Sequence, residues 1–193
     1  MNKPRHTTNL NSLEPYHRKP MDSVASTAKP GEELLQVVIE TPRGSRNKYS
    51  YDSVQHVFRL KSLLPAGMVF PWDFGFVPGT LGGDDDPLDA LVLIDEPAFP
   101  GCVILVRLLG AMEAEQTQVG HTLRNDRLIT VAENSELFAS LQSLDDLPRK
   151  VLTEIDEFFT NYHRLLGRPS RTLGWTGPEA AQLLIAEARE RSA

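Results

Sequence analysis

The feature that most constrains the fold is a succession of short apolar, β-branched runs between Leu34 and Ala132, separated by proline and glycine clusters. The runs LLQVVIE, KYSYD, HVFRL, ALVLI, CVILVRLLGAMEAE and DRLITVA have the length and composition of strands, and PAGMVFP, PGTLGGDDDP and DEPAFPG those of turns. About five closely spaced strands with no helical pattern between them predict an antiparallel barrel and not a series of βαβ units.

The last third of the chain has a different pattern. In LDDLPRKVLTEIDEFFTNYHRLL, apolar residues recur at helical spacing from Leu147 to Leu165. The segment GPEAAQLLIAEARERS opens with proline after glycine and continues with strong helix formers. The sequence therefore predicts one mainly β domain of the α+β class, residues 33–193, in which two C-terminal helices pack on a five-stranded barrel.

Composition limits the classes of function and the compartment. A chain of 193 residues with 40% apolar content can bury one core, and 20 basic against 26 acidic side chains argue against general binding of nucleic acid or anionic membrane. The single cysteine, Cys102, cannot form an internal disulfide. The polar segment 1–32 lacks the apolar stretch of a signal peptide or a membrane span. We therefore expect a cytoplasmic protein with a flexible N-terminal tail.

An acidic run, DDDPLD, leads directly into one of the predicted strands. Asp84, Asp86 and Asp89 are spaced so that a turn entering a strand can aim three carboxylates at one point. Like charges held this close repel strongly unless a cation lies among them. Hard oxygen ligands favour Mg²⁺, Mn²⁺ or Ca²⁺ over zinc. A solvated acidic turn remains the alternative, whereas an EF-hand loop would need Asp or Asn at Leu88 and glycine at Asp89.

The first predicted hairpin adds one carboxylate and several cations. Glu40 ends the first strand, Arg43 and Arg46 lie in the following loop, and Lys48 begins the second strand. Taken singly, each of these side chains is more simply explained as a solvated surface charge. Together with an oxygen-bound cation they suit a polyphosphate, because the metal neutralises charge while the basic side chains hold the phosphoryl groups.

These segments together resemble the soluble family I inorganic pyrophosphatases. The resemblance is carried by VVIETPRGSRNKYSYD (37–52), FPWDFGFVPGTL (70–81), DDDPLDALVL (84–93), PGCVILVRLLG (100–110), DRLITVA (126–132), FFTNYH (158–163) and GWTGPEAA (174–181). They follow the family's order and cover the chain after the tail. The resemblance implies a five-stranded OB-like closed barrel flanked by helices, hydrolysis of inorganic diphosphate, and a homo-oligomer, either a hexamer as in bacterial members or a dimer as in eukaryotic ones.

The resemblance also implies roles for individual residues. Asp84 and Asp89 correspond to metal ligands, and Asp86 corresponds to the general base that takes a proton from the metal-activated water. The positions that correspond to side chains of the substrate cleft are Glu40, Lys48 and Tyr162. The implied cofactor is Mg²⁺, with Mn²⁺ as the alternative. The implied partner is inorganic pyrophosphate, and neither nucleic acid nor a membrane is expected.

The family's second acidic pair, carried in a segment like MTDEGEDAK between two late strands, has an altered counterpart here. The segment reads EAEQTQVGHTLRNDR. We expect Glu115 and Asp126 as its metal ligands and Arg127 as the basic, substrate-binding residue that follows. Gln116 and Asn125 fit the two ends of a gapless alignment about as well. An elongated surface loop without a metal role is a further alternative.

Other positions depart from the family pattern. They are Phe70 and Phe74 in place of tyrosines, Ser50 in place of an acidic residue, Ser62 in place of an arginine, and His163 in place of a lysine. Arg59 or Lys61 could supply the cation missing at Ser62. These changes leave open a hydrolase of another diphosphate or phosphoester, a non-catalytic phosphate- or nucleotide-binding protein on the same fold, and an OB-like interaction module with an acidic turn.

Overall fold

The structure is a computed structural model that describes residues 34–118 and 120–193. The segment expected to form a tail, residues 1–32, lies outside the described residues. The elements in chain order are β1 (Leu35–Thr41), β2 (Asn47–Asp52), β3 (Val57–Leu63), β4 (Asp73–Phe76), β5 (Asp89–Leu93), β6 (Val103–Gln118), β7 (His121–Arg124), β8 (Arg127–Ala132), α1 (Arg149–Leu165), β9 (Ser170–Thr176) and α2 (Pro178–Ser192). A short 3-10 helix, Leu144–Asp146, precedes α1.

Five strands close into a ring. Their order is β1, β4, β5, β8 and β6, and β6 pairs back to β1. A closed ring leaves none of its strands with an unpaired edge, which removes the hazard of edge-to-edge association. The ring and the two C-terminal helices confirm the architecture predicted from the sequence.

One pairing in the ring differs from the antiparallel arrangement that we predicted. Strands β5 and β8 run parallel, with Asp89 opposite Arg127 and Leu93 opposite Val131. Parallel neighbours need a long connection, and residues 94–126, which include β6 and β7, supply it. The consequence for the site is that two charged residues, each the first of its strand, lie side by side.

The core has two parts because the strands of the ring are buried on both faces. On β5, Val92 belongs to the cluster beneath α2, which includes Ile185, whereas Leu93 belongs to the cluster beneath α1, which includes Ile155 and Phe159. Successive side chains of a strand point to opposite faces, so the uninterrupted apolar sequence of β5 serves both clusters. The acidic loop before β5 is thereby attached to a strand fixed from both sides.

The sequence pattern did not predict β4, β7 or β9. Strand β4 has only four residues. One of them is Gly75, which lies so close to β1 that a Cβ at this position would be 2.0 Å from the carbonyl oxygen of Val38. The hairpin β2–β3 forms a separate two-stranded sheet beside the ring. Within the described ranges, no helix is long and apolar enough to cross a membrane.

Candidate active site

The candidate site is a cleft beside the N-terminal ends of β5 and β8, next to β1 and β2. Asp89 begins β5 and Arg127 begins β8, and the parallel register sets them opposite each other. The Arg127 Nε lies 3.8 Å from the Asp89 Oδ2. Lys48 on β2 and Glu40 on β1 interact electrostatically with Asp89 from the other side. The fold therefore gathers charged residues that are separated by up to 87 positions in the sequence, from Glu40 to Arg127.

The acidic loop is held in place by its own backbone and by one buried hydroxyl. The Thr80 Oγ1 donates to the Val77 carbonyl oxygen at 2.6 Å and accepts the Leu88 N–H at 3.0 Å. The Gly82 N–H donates to the Asp86 carbonyl oxygen at 2.7 Å, which closes the turn. Because these bonds fix the loop at both ends, its carboxylates are presented from a rigid frame.

The carboxylates of this loop influence one another. Burial, together with the nearby charges of Asp89 and Asp86, raises the pKa of Asp84 to about 6. Burial also raises the pKa of Asp89, although Arg127 and Lys48 oppose the effect. Keeping both groups ionised at neutral pH therefore costs free energy that a bound cation would recover.

The donor set of the loop fits a hard divalent cation. Asp84, Asp86 and Asp89 offer carboxylate oxygens, which Mg²⁺ and Mn²⁺ prefer as ligands. No three His, Cys, Asp or Glu side chains within the described ranges already converge at ligand spacing. Like charges in one loop repel each other, and a bound cation would relieve that repulsion.

Lys48 brings a positive charge to the opposite wall of the cleft. Its Nζ lies 5.1 Å from the ring centroid of Phe74 and 5.7 Å from that of Tyr162. Burial lowers the pKa of Lys48, and the Asp89 carboxylate is the strongest opposing influence. Two aromatic faces and one carboxylate therefore keep an ammonium group in a largely desolvated position, where it attracts anions strongly.

Glu40 lies at the edge of the cleft, between the basic and the acidic sides. Its Oε1 accepts the backbone N–H of Tyr51 at 2.6 Å, which orients the carboxylate. Burial raises its pKa, the charges of Lys48 and Lys61 lower it, and the charge of Asp86 raises it. Glu40 is thus within electrostatic reach of both walls of the cleft.

Arg127 is a buried cation that is held beside Asp89. Its Nη1 donates to the Asn125 carbonyl oxygen at 3.0 Å, its Nη2 lies 3.2 Å from the His163 Nε2, and its guanidinium stands 4.1 Å from the Phe159 ring centroid. Its Nε is buried and has no hydrogen-bond partner among the described residues. The side chain is 1% exposed, so these contacts fix the guanidinium beside Asp89.

His163 supports Arg127 as a neutral acceptor. An arginine can only donate, so the His163 Nε2 in this contact must carry a lone pair. Burial, followed by the charges of Arg127 and Lys48, lowers the pKa of His163 to about 3. The imidazole therefore stays uncharged at neutral pH, and the cleft has one fixed cation here where the family pattern has two.

Three other departures from the family pattern, Phe70, Phe74 and Ser62, lie around Tyr162. Phe70 and Phe74 are buried, and the Phe70 ring lies 6.3 Å from that of Tyr162. The Tyr162 hydroxyl is hydrogen-bonded to Ser62, and burial raises its pKa. Arg59 pairs with an aspartate at 2.9 Å on the exposed side of the β2–β3 hairpin. Lys61 is therefore the cation of β3 that lies close to Glu40 and Lys48.

The two carboxylates expected as the second acidic pair lie in different places. Glu115 accepts the Arg171 Nε–H at 3.0 Å, and the Arg171 Nη2 lies 2.9 Å from the same carboxylate oxygen. Asp126 accepts the Ala114 N–H at 3.0 Å and pairs with Arg124 at 2.9 Å. Asp126 lines a small cavity together with Asp84 and Asp89, and Glu115 does not line it. The structure therefore brings Asp126, but not Glu115, to the acidic loop.

An amide pair completes this side of the cleft. The Asn125 Nδ2 donates to the Asp84 Oδ2 at 2.8 Å and to the Gln116 Oε1 at 3.2 Å. Sequence reasoning gave these two residues only as the ends of an alternative alignment. The gapless alignment with the family segment was the signal that could have identified Asn125 and Gln116 as the residues at the acidic loop. An alignment without a gap keeps the strand that contains Gln116 in the same register as the family strand.

Known proteins resemble the chain over nearly all of its described length. The family model for inorganic pyrophosphatase matches residues 37–193. An inorganic pyrophosphatase of Methanosarcina acetivorans is 41% identical over 159 residues, which cover 82% of this chain and 92% of that protein. One from Synechocystis is 36% identical and covers 86% and 96%, respectively. The crystal structure of inorganic pyrophosphatase from Thermus thermophilus superposes with a TM-score of 0.78 at 34% identity, covering 86% of this chain and 95% of that one.

Proposed function

This chain belongs to the family I inorganic pyrophosphatases, and from that premise we propose that it hydrolyses inorganic diphosphate to two phosphates. The observation that carries the proposal is the meeting in one cleft of an acidic loop, with Asp84, Asp86 and Asp89, and two cations, the partly buried Lys48 and the buried Arg127. The acidic side suits divalent cations and the basic side suits phosphoryl oxygens. A complex of diphosphate with a metal ion has a positive charge that complements the acidic side and negative phosphoryl oxygens that complement the basic side.

The family is metal-dependent, and we propose Mg²⁺ as the cation here, with Mn²⁺ as the alternative. Asp84 and Asp89 are the proposed ligands, because they are the carboxylates of the acidic loop whose pKa values are raised and whose charge a cation would relieve. A bound divalent cation lowers the pKa of a coordinated water and neutralises phosphate charge. Asp126 and Glu115 each lie 2.9 Å from an arginine, much closer than the 3.8 Å that separates Asp89 from Arg127, and for this reason we do not assign them as ligands.

We assign the remaining roles to side chains that line the cleft. Asp86 is exposed at the mouth of the cleft, where it can accept the proton of the attacking water as general base. Lys48 and the guanidinium of Arg127 would supply the positive charge that attracts the phosphoryl oxygens and stabilises the leaving phosphate. Tyr162 and Glu40 complete the binding surface, the hydroxyl as a donor and the carboxylate as the group that orients the basic side chains.

We further propose a cytoplasmic location and a homo-oligomer, a hexamer or a dimer, both by analogy with the family. Phe99, Val103 and Leu105 are exposed apolar side chains on and next to the start of β6. Apolar side chains grouped in this way are typical of interfaces. Light scattering of the purified chain would give the mass directly, and a monomer at micromolar concentration would contradict the oligomer.

The test of the function is phosphate release from pyrophosphate by the purified chain, with and without millimolar Mg²⁺. We expect Mg²⁺-dependent release, lowered about 10²-fold or more in kcat by Asp86→Asn, because a general base contributes at least that much. Asp85→Asn is the matched control, since Asp85 is the neighbouring exposed aspartate and makes the same change of charge. Absence of release above the Asp86→Asn level, in a folded sample, would contradict the proposal and favour another phosphorylated ligand.

A further inference from the structure

The side of the cleft formed by β6 and the approach to β8 contains two amides next to the acidic loop. Asn125 uses its side-chain NH₂ group twice, toward Asp84 at 2.8 Å and toward Gln116 at 3.2 Å. An amide N–H carries partial positive charge, so it satisfies one carboxylate oxygen of Asp84 without adding a charge of its own. The Asp84 oxygen that faces this side is therefore already occupied by a neutral donor.

The position of Asn125 is fixed by its backbone. Its N–H donates to the Ala114 carbonyl oxygen at 2.9 Å, and its own carbonyl oxygen accepts the Arg127 Nη1 at 3.0 Å. The short segment between β7 and β8 is thus tied to β6 on one side and to the buried guanidinium on the other. The amide group is held against Asp84 and is not free to swing away.

The three carboxylates around the amide pair are already paired with two arginines. Arg124 pairs with Glu113 and Asp126, each at 2.9 Å, and Arg171 pairs with Glu115 at 2.9 Å. Burial opposes the charge of Arg124, but its hydrogen bonds to the two carboxylates raise its pKa. A second cation on this side would compete with arginines for these oxygens and would meet an N–H donor at Asn125.

We propose that the Asn125–Gln116 amide pair adds no negative charge to this side of the cleft, so that the acidic loop binds fewer divalent cations than it would with carboxylates at the same two positions. The inference rests on the proposed function for the presence of metal at Asp84 and Asp89, and it concerns the number of ions and not the reaction. Asn125 and Gln116 are then residues that set metal stoichiometry. Substrate would bring any additional cation with it, bound to its phosphates.

The experiment counts bound ions without substrate. Mn²⁺ is added to the purified full-length chain and free Mn²⁺ is measured by its electron paramagnetic resonance signal, for the wild type and for the double variant Asn125→Asp with Gln116→Glu. We expect the double variant to bind one more Mn²⁺ per chain and to bind it with at least about tenfold higher affinity than any further site of the wild type, because affinity follows ligand charge. Asn134→Asp, an exposed residue with the same change, is the matched control and should bind as the wild type does.

Two further variants keep the inference testable if the double variant folds poorly. Asn125→Asp alone should raise Mn²⁺ affinity, and its thermal midpoint should fall in EDTA and recover with Mn²⁺, since the added carboxylate faces Asp84. Glu115→Gln should bind Mn²⁺ as the wild type does. Equal stoichiometry in the wild type and the aspartate variants, or loss of Mn²⁺ from Glu115→Gln, would overturn the inference. Phosphate release is measured separately, so its absence would contradict the proposed function and leave the ion count unaffected.

Discussion

Replacement of Asp84 by asparagine is expected to stabilise the metal-free protein at pH 8. Asparagine has nearly the same shape, and its Oδ1 can still accept the hydrogen bond that Asn125 donates to Asp84 at 2.8 Å. The substitution removes a negative charge that burial and the charges of Asp89 and Asp86 disfavour. A residue proposed as a metal ligand would thus be a liability whenever the metal is absent.

The magnitude follows from the pKa of Asp84, which rises from 3.8 to about 6 in the folded state. A rise of about two units corresponds to about 3 kcal/mol of free energy of unfolding. The side chain is only half-buried, so solvent screens the interaction and we expect about 1–2 kcal/mol. The folded state holds the proton more tightly, so wild-type stability falls as pH rises from about 4 to about 6 and the full penalty remains above that range.

Urea denaturation in EDTA measures this difference. The Asp84→Asn variant should unfold at higher urea than the wild type at pH 8, with the same dependence of free energy on urea, and the two should converge near pH 4. Asp85→Asn controls for the change in net charge, because Asp85 is exposed and its φ of 65° suits asparagine as well as aspartate. Excess Mg²⁺ should reverse the order, since a ligand at 100 times its Kd stabilises the wild type by about 2.7 kcal/mol.

Three outcomes would refute this reasoning. Relative to the wild type, the free energy of unfolding of Asp84→Asn could be no higher at pH 8, could be higher by the same amount at pH 4 and pH 8, or could be higher by the same amount as that of Asp85→Asn. The first outcome would mean that the fold does not disfavour the charged form of Asp84. The second would mean that the stabilisation does not come from removing a charge. The third would mean that it comes from the net charge of the loop and not from the position of Asp84. If Mg²⁺ stabilised the Asp84→Asn variant as much as it stabilises the wild type, the assignment of Asp84 as a metal ligand would be contradicted.

Three other predictions concern the frame of the site. Gly75→Ala should destabilise the protein by about 3 kcal/mol or more in urea denaturation, because its Cβ would lie 2.0 Å from the backbone oxygen of Val38. Thr80→Val should cost about 1–3 kcal/mol by the same measurement, since it leaves two buried backbone groups without their partner. In the wild type, His163 should lower the free energy of unfolding by up to about 1.4 kcal/mol for each pH unit below pH 6.5. His163→Gln should remove this contribution, so the variant should lose less stability in acid. The reason is that the unfolded chain takes up a proton that the folded state, with the His163 pKa near 3, refuses.

Controls separate these effects from general damage to the core. Gly174→Ala has no atom within 4 Å of the new methyl group and should be nearly neutral, so equal destabilisation at both glycines would contradict the argument from backbone contact. Thr80→Ser keeps the hydroxyl and should recover most of the loss of Thr80→Val. An unchanged pH dependence of stability in His163→Gln would show that His163 is not the group that the folded state keeps neutral.

Much of the fold and part of the site could be predicted from local sequence, because strands, helices and turns each have a local pattern. The apolar runs gave six of the nine strands described here, and the proline after Gly177 marked the start of α2. The strands that the pattern missed depend on partners and not on their own composition. Strand β4 is an example, since a four-residue segment with Gly75 has no period of its own and is fixed by β1 and β5.

The sequence by itself determined which charged groups the cleft has to work with: the aspartates of DDDPLD, Lys48 and Arg127. Only the tertiary structure decided how those charges are paired. Asp89 faces Arg127 because β5 and β8 pair in parallel, and Asn125 reaches Asp84 across 41 positions. A shift of one residue turns a strand's side chains to the opposite face, so the local sequence around Glu115 and Gln116 cannot say which of them meets the acidic loop. Strand register, set by pairing over the whole ring, makes that choice.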